Sequence, residues 1–265
     1  MMSEFRQLSS HRSCCPPHVR RAIVAVLSLL LPVVACLLGS GCGGAEDGIN
    51  SASLPEDRPD VTPERLARGR VTLPATEPFN LTAFESNQDA DGRGESKAEG
   101  TGGAICKAAS GTAGSAKASF LLGYTFDNLS GRDIDAVIKL KLTHNEAIAL
   151  TPGTTPPDKT PPGGSTNLAF VIKDSTGVVL KNEGLAASAA DKGPAASSGS
   201  HDLSFDVRFE PGKGYYLIIA GRCEAKAGSG RGTTVDVSVR DVSLDIDWKP
   251  APTPAAATPA PGTAP

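Results

Sequence analysis

The chain has 265 residues and a formal net charge of −3, with few aromatic side chains and abundant glycine and proline. Residues 1–41 hold four arginines and one glutamate, which leaves 22 basic and 28 acidic residues in the remainder. A mildly acidic surface argues against nucleic acid as a partner, because phosphate binding needs clustered lysine and arginine. The composition is typical of a loop-rich β domain with extended arms.

The first 41 residues have the pattern of an export signal. Arg20 and Arg21 precede an apolar run, AIVAVLSLLLPVVACLLG at 22–39, and small residues and Cys42 follow it. A basic start, an apolar middle and a small-residue exit are the parts of a secretory signal peptide. A retained transmembrane anchor is one alternative, because the run approaches the length of about 20 residues that a span needs. Cleavage without lipidation is another.

Two cysteines at the end of this run are candidates for lipid attachment. The stretches Val33-Val34-Ala35-Cys36 and Gly39-Ser40-Gly41-Cys42 both end in a cysteine. The segment therefore resembles a bacterial lipoprotein signal, whose box of aliphatic and small residues precedes the lipidated cysteine. The first stretch fits the box better, whereas the second follows a small-residue spacer and leaves an even number of cysteines downstream. We predict lipidation at Cys42, with Cys36 as the alternative. The resemblance implies export and lipid anchoring to the cell envelope, at the outer membrane in a Gram-negative cell.

Cys106 and Cys223 are the two cysteines that follow Cys42. Two cysteines in an exported domain suffice for one disulfide, which an oxidising compartment would keep closed. The bond would close a long loop, for which the chain-entropy model gives about 4 to 5 kcal/mol of stabilisation. A metal or reactive-thiol role is less favoured, because neither cysteine has a second ligand at metal-binding spacing. The sequence thus predicts a disulfide between Cys106 and Cys223.

Composition divides the chain into five parts. Thr62 and Pro63 suit the cap and the first position of a short helical turn near 63–68, within an otherwise polar stretch. The predicted parts are a lipoprotein signal peptide at 1–41, a flexible tether at 42–70, an extended segment and acidic glycine-rich loop at 71–103, a β-sandwich at 104–248, and a disordered Pro/Ala/Thr-rich tail at 249–265.

The acidic loop contains the opening of a calcium-binding pattern. Asn87, Asp89 and Asp91 alternate before Gly92, as the oxygen ligands of a calcium loop do. The pattern then fails, because Ala98 stands where a bidentate glutamate belongs. The favoured interpretation is a solvated loop without a metal, and we expect no cofactor.

Alternating apolar and polar residues predict strands within 104–248. The runs 116–126 and 134–142 both alternate and are predicted to form an antiparallel pair. Residues 215–220 are apolar on both faces, which predicts a central strand. The stretches 151–164 and 186–200 are predicted to be loops, because they are rich in small residues and the first is rich in proline.

The last predicted strand changes parity. Residues 235–239 place their valines on one face, whereas the apolar residues of 242–248 fall on the other. The slip at Arg240 and Asp241 predicts a bulge, or a bend where the strand changes sheets.

These strands indicate an all-β antiparallel β-sandwich. Long loops and a sheet-changing strand favour a jelly roll over an immunoglobulin-like fold. The sequences LAFVIKDSTGVVL at 168–180 and GKGYYLIIAG at 212–221 resemble strands of the accessory sandwiches of secreted bacterial enzymes, including pre-peptidase C-terminal and carbohydrate-binding modules. The resemblance implies a binding module and assigns no ligand residues.

Tyr215 and Tyr216 are the candidate ligand-binding residues. They are adjacent in a predicted strand, so at most one faces inward unless both faces of the sheet are covered. The tyrosine that faces outward is the candidate for contact with a ligand.

His144 and His201 are the histidines that follow the signal. Either could join a distant serine and aspartate in a hydrolase, since catalytic triads are spatial arrangements. The sequence holds no GxSxG or HExxH motif, so we expect the protein not to be an enzyme. We predict a noncatalytic envelope lipoprotein that binds a protein partner or a cell-wall glycan. The alternatives are a structural spacer without a ligand and, less favoured, a secreted hydrolase.

Overall fold

A computed structural model describes residues 58–151, 162–189, 194–228 and 230–250. Cys36, Cys42, the predicted signal peptide, most of the predicted tether and nearly all of the predicted tail lie outside these residues. Within them, no helix has the length and hydropathy that crossing a membrane requires.

The described residues form twelve strands and one short helix. In chain order these are β1 Asp60–Val61, α1 Pro63–Ala67, β2 Arg70–Leu73, β3 Leu81–Gln88, β4 Arg93–Glu99, β5 Gly103–Ser110, β6 Ser115–Asn128, β7 Ile134–Leu150, β8 Gly163–Asp174, β9 Val179–Ala189, β10 Ala195–Phe209, β11 Gly214–Lys226 and β12 Thr233–Pro250.

The strands form two sheets. Sheet A has the order β1-β6-β11-β8-β9, with β3 beside β6, and sheet B has the order β10-β7-β12-β5-β4, with β2 beside β12. Four antiparallel pairs are nested in sequence: β5 with β12, β6 with β11, β7 with β10, and β8 with β9. This nesting is the winding of a jelly roll. The predicted all-β sandwich and the preference for a jelly roll are confirmed.

The predicted antiparallel pairing of 116–126 with 134–142 is wrong. These residues belong to β6, which pairs with β11 in sheet A, and to β7, which pairs with β10 and β12 in sheet B. The turn between Asn128 and Ile134 therefore carries the chain from one sheet to the other. Alternation shows that a strand has one buried face, but it does not identify the neighbouring strand.

The parity slip in β12 is a bulge. The register between β12 and β7 shifts between Arg240 and Ser243, and Asp241 has a φ of 52°. The bulge returns the chain to the same face, so Val239 and Val242 both lie in the core. The predicted bulge is confirmed, whereas the predicted change of sheet is wrong, because β12 pairs with β7 on both sides of the bulge.

The core between the sheets is aromatic at one end. Phe126 contacts the rings of Phe209, Tyr215 and Trp248 at centroid distances of 5.1, 5.6 and 5.1 Å. Burying one such side chain contributes about 1.5 to 3 kcal/mol. The predicted central strand is also confirmed, since β11 lies between β6 and β8.

Residues 58–70, predicted as part of the tether, pack onto the sandwich. Val61 and Leu66 lie in the core, and Thr62 caps α1 by accepting a hydrogen bond from the backbone of Arg65. The predicted helical turn is therefore confirmed. The strands begin at Asp60, well before residue 104, the predicted start of the sandwich.

Two predicted loops contain strands. Within the predicted segment 71–103, the acidic glycine-rich loop, residues 86–103, holds the end of β3 and all of β4. The predicted loop at 186–200 holds the end of β9 and the start of β10. These segments lie in or beside edge strands, where small and polar residues meet one partner strand instead of two. Weak alternation in such strands explains why the sequence pattern did not reveal them.

Both limits of the described chain lie at one end of the sandwich, which we call the arm end. Arg58 contacts Asp127 near the end of β6, and Pro250 pairs with Ile134 at the start of β7. The connections that follow β3, β5, β7, β9 and β11 lie at the opposite end, which we call the loop end.

Candidate interaction surface

The outward side of sheet A is apolar. Alternation in the strands of this sheet sends one set of side chains into the core and the other set outward, because successive side chains point to opposite faces. The outward set forms a second apolar cluster, which we call the outer face: Leu81, Leu121, Ala169, Val171, Tyr216, Ile218 and Ala220. This is the double-sided apolar character that the sequence predicted for β11.

Tyr215 and Tyr216 face opposite sides of sheet A. Tyr215 lies between the sheets, where its hydroxyl donates to the carbonyl oxygen of Glu210 at 3.2 Å. Burial raises the pKa of Tyr215. Tyr216 belongs to the outer face and accepts a hydrogen bond from Nη1 of Arg58 at 2.8 Å. The Arg58 guanidinium and Nζ of Lys173 lie 5.5 and 6.0 Å from its ring centroid.

Since Tyr215 faces the core and Tyr216 faces outward, Tyr216 is the remaining ligand-binding candidate of the two. Two cations beside the ring give favourable cation–π contacts. The side chain is nevertheless only 7 % exposed, so it does not offer a free aromatic surface.

A rigid turn presents an exposed apolar edge beside the outer face. Val178 is the last residue before β9, the edge strand of sheet A, and Val179 and Leu180 are its first two residues; the three are 55, 43 and 40 % exposed. We call these three residues the β9 margin. Three consecutive exposed apolar residues are rare in a soluble protein unless they are used for binding.

Asp174 fixes the turn that precedes the β9 margin. Its buried carboxylate accepts hydrogen bonds from the backbone of Thr176 and Val178, both at 2.9 Å, and from the Thr176 hydroxyl. Burial by itself would raise the pKa of Asp174, but these hydrogen bonds and one from Lys213 hold the pKa below its ordinary value. The turn is therefore held by the ionised carboxylate.

The structure brings His144 and His201 together between the sheets. Their rings stack with centroids 5.1 Å apart. Nearby, the Ser188 hydroxyl donates to Oε2 of Glu146 at 2.8 Å and so joins the two sheets. Within the described residues, no hydrogen bond joins either histidine to a serine, threonine or cysteine. The arrangement thus lacks the nucleophile–base hydrogen bond that a triad uses.

The sequence did not predict that polar atoms are buried together in this cluster. Nδ1 of His144, Oε1 of Glu146 and Nε2 of His201 are buried and have no hydrogen-bond partner in the part of the chain that the structure describes. Burial, and next the neighbouring His144, lower the pKa of His201. The sequence did hold a signal for this cluster: His144 and Glu146 are two residues apart in β7. Alternation places both of them on the same face of the strand, and that face is the inward one.

Cys106 and Cys223 face each other in the core. Their sulfur atoms lie 3.0 Å apart, and both residues are free thiols in the structure. Burial raises the pKa of the Cys106 thiol. The disulfide remains a prediction.

The calcium candidates are divided between a strand and a turn. Asn87 lies in β3. Asp91 accepts hydrogen bonds from the backbone of Thr112 and Ala113, at 2.8 and 3.3 Å, and Asp89 accepts from the backbone and hydroxyl of Ser115. These carboxylates hold two turns together at the loop end. Across the described ranges, no group of three or more His, Cys, Asp or Glu side chains is placed to hold a metal ion.

The comparisons with known proteins give structural likeness only. No protein-family model matches the chain, and no curated protein matches it. A solved family 11 carbohydrate-binding module from Clostridium thermocellum, in complex with a β-1,3-1,4-mixed-linked tetrasaccharide, matches with 14 % identity and a TM-score of 0.25, covering 66 % of this chain and 95 % of that one.

Two further solved structures match at lower scores. The CBM22-1 xylan-binding domain of Xyn10C from Paenibacillus barcinonensis has 8 % identity and a TM-score of 0.19, covering 67 % of this chain and 93 % of its own. A structure of infectious bursal disease virus has 9 % identity and a TM-score of 0.18, covering 68 % of this chain and 40 % of that one. TM-scores this low carry no argument about the ligand of this protein.

Proposed function

We propose that this chain is a noncatalytic lipoprotein, exported and anchored by lipid at Cys42, whose jelly roll binds a protein partner at the β9 margin. The anchoring part rests on the basic, apolar and small-residue pattern that ends at Cys42. In a Gram-negative cell the anchored protein would reside at the outer membrane.

The observation that carries partner binding is the exposure of three consecutive apolar residues at the start of an edge strand. An edge strand offers unpaired backbone N–H and C=O groups, and a partner strand can add to it. Val178, Val179 and Leu180 would supply apolar contacts beside those hydrogen bonds. The turn held by Asp174 keeps them in place before binding, which lowers the entropic cost of association.

The test measures a saturable interaction in envelope extracts from the host cell. The double variant Val179→Asp/Leu180→Asp should weaken the partner's affinity at least about tenfold, since charged groups would have to be buried at the contact. Leu129→Asp is the matched control, because Leu129 is also an exposed apolar residue but lies in the turn after β6. Retention of the partner by the double variant would contradict the proposal. Recovery of no saturable partner would favour the structural spacer.

A cell-wall glycan is the second candidate ligand, and one observation favours it. Phe84 is 61 % exposed on β3 and presents an aromatic surface on which a sugar could stack. Binding of soluble glycans that is lost in Phe84→Ala but kept in Val179→Asp/Leu180→Asp would assign the ligand to the glycan class. A glycan affinity that is unchanged in Phe84→Ala would exclude this surface.

A further inference from the structure

The free edge of sheet B is a long and regular strand. β10, Ala195–Phe209, pairs with β7 residue by residue without a register shift, and it pairs with no other strand in the described part of the chain. Its second side therefore presents backbone N–H and C=O groups along the strand, and such a row is a template for an added strand.

The other edges are shorter, and they are interrupted or in contact with each other. β9 has two register shifts against β8, so it offers only short regular stretches. At the opposite margins of the sheets, β3 and β4 lie together, and the Ser96 hydroxyl donates to the carbonyl oxygen of Glu85 at 3.1 Å. β10 is thus the longest continuous edge among the described strands.

β10 also lacks the features that protect natural edges. Its sequence AASSGSHDLSFDVRF holds no proline and no lysine. Leu203, Phe205 and Val207 are partly buried against the inter-sheet core, and the Phe205 ring stacks on Phe170 at a centroid distance of 5.5 Å. Proline, lysine and inward-pointing charges are the usual means of keeping a second strand away from an edge. The apolar half of β10 is therefore suited to strand pairing.

The sequence of β10 is complementary to itself when two copies run antiparallel. A two-fold axis at Phe205 sets residues 201–209 of one copy against the same residues of another in reverse order. Opposite residues then lie on the same face of the joined sheet. On the inward face, Phe205 meets its own counterpart, and Leu203 meets Val207 of the second copy. Aromatic and β-branched pairs of this kind stabilise antiparallel sheets.

The outward charges agree with this register. Asp202 lies opposite Arg208 of the second copy, so charges of opposite sign face each other. Both side chains already form ion pairs with β7, Asp202 with Lys141 at 3.0 Å and Arg208 with Asp135 at 2.7 Å. These pairs can stay as they are, because the register needs only that like charges are not opposed.

Neighbouring registers fit less well. An axis at Ser204 would set Asp202 against Asp206, and an axis at Asp206 would set that carboxylate against its own counterpart. Like charges directly opposite each other destabilise a sheet. An axis at Leu203 would set Val207 against Gly199, which has no side chain to pack. Among these axes, the one at Phe205 opposes apolar residues to each other and avoids like charges.

We propose that a second copy of this chain adds to β10, so that two β10 strands pair antiparallel about Phe205. Sheet B of each copy then continues into sheet B of the other. The pairing uses the edge of sheet B and does not rest on partner binding at the β9 margin, which belongs to sheet A.

Single cysteines along β10 test the occupant and the register in the full chain, purified in detergent with micelles in excess over protein. Ser204→Cys places two cysteines diagonally across the axis, roughly 7 to 8 Å apart. Ser200→Cys, on the same exposed face, places them ten residues apart along the strands, or roughly 34 Å. We expect a short bismaleimide to join Ser204→Cys chains at least about tenfold more than Ser200→Cys chains.

Equal crosslinking of the two variants, or no crosslinking between copies, would overturn the proposal. A maximum at Ser200→Cys would also overturn it, since the axis would then lie elsewhere on the strand. Crosslinking of Ser204→Cys in intact envelopes to a different protein, and not to a second copy, would assign the edge to another partner and refute the dimer.

Charge beside the axis gives a second measurement. Ser204→Asp sets a new carboxylate opposite Asp206 of the second copy at two symmetric places, and we expect it to weaken self-association in sedimentation experiments about fivefold. Ser198→Asp is the matched control, because it adds the same charge to the same exposed face outside residues 201–209.

The double variant Ser204→Asp/Asp206→Ser exchanges the two opposed residues and should restore self-association. Equal weakening by Ser198→Asp, or no recovery in the double variant, would contradict the register. Val179→Asp/Leu180→Asp, the variant that tests the β9 margin, should leave crosslinking and sedimentation unchanged, so the two proposals can fail separately.

Discussion

Gly221 and Phe120 lie opposite each other on β11 and β6. A methyl group added at Gly221 would lie 2.3 Å from Cε1 of Phe120, whose ring is fully buried and has little room to move. We expect Gly221→Ala to lower the free energy of unfolding by about 1 to 3 kcal/mol, as overpacked cores do. Urea unfolding at fixed temperature measures the change.

Gly184 provides the matched control on β9. No atom lies within 4 Å of a methyl group added there, so Gly184→Ala should change the free energy of unfolding by less than about 0.5 kcal/mol. Similar losses in both variants would contradict the role assigned to the Phe120 ring.

His201 makes stability depend on pH. Burial, and next His144, lower its pKa in the folded protein, while a hydrogen bond to the Leu185 backbone and the charge of Glu183 oppose the shift. The unfolded chain therefore takes up a proton more readily than the folded one. Stability falls as the pH drops below the ordinary histidine value of about 6.5. We expect a smaller free energy of unfolding at about pH 5.5 than at about pH 7.5.

The variant His201→Gln separates the contribution of His201 to pH-dependent stability from the contribution of the Asp and Glu carboxylates. Asp and Glu titrate in both proteins, so their contribution cancels in the comparison. The pH dependence between these two conditions should be weaker in His201→Gln, and an unchanged dependence would assign it to other groups.

At the scale of the element, Asp174 holds the β8–β9 turn. Asp174→Ala leaves the N–H groups of Thr176 and Val178 without their acceptor and should cost about 1 to 3 kcal/mol in the free energy of unfolding. Asp202→Ala is the control, because the exposed Asp202 makes one surface ion pair with Lys141 and should cost less than about 1 kcal/mol. Thermal unfolding compares the two variants, and equal costs would refute the role of the turn.

The elements that could be predicted from sequence are those with a distinct pattern of apolar residues or with residues that mark a helix start. β11 is apolar on both sides, β12 shows its bulge as a change of parity, and α1 has a threonine cap and a proline. β4 shows no such signal, since its sequence RGESKAE holds no large apolar residue. Among the described strands, β4 pairs with β5 alone. Its place depends on the partner strand, which periodicity does not reveal.

Of the candidate interaction surface, the sequence could predict side-chain orientation within a strand but not contacts between strands. The adjacency of Tyr215 and Tyr216 showed that one of them faces outward, and the structure identifies Tyr216. The contact between His144 and His201 could not be foreseen, because it depends on the register between β7 and β10. The β9 margin lies in the segment 168–180 that resembles strands of accessory sandwiches, but its exposure depends on its position at the sheet edge.

At the scale of the whole molecule, the predicted disulfide would join the two sheets. Cys106 lies on β5 of sheet B and Cys223 on β11 of sheet A, so the bond would link the sheets covalently. We expect the intact mass of the exported protein under nonreducing conditions to be about 2 Da below that of the dithiol form. Cys106→Ala should abolish the effect of a reductant on the midpoint of unfolding. Equal masses before and after reduction would refute the disulfide.

The described chain begins and ends at the arm end. The order of the strands along the chain can therefore be changed while the fold is kept. Arg58 and Pro250 lie at the same end, so a linker could join them while the chain is opened between β7 and β8 at the loop end. Every nested strand pair would be kept in such a circular permutant. The jelly roll can therefore carry a fused protein at either end of the sandwich, according to where its termini are placed.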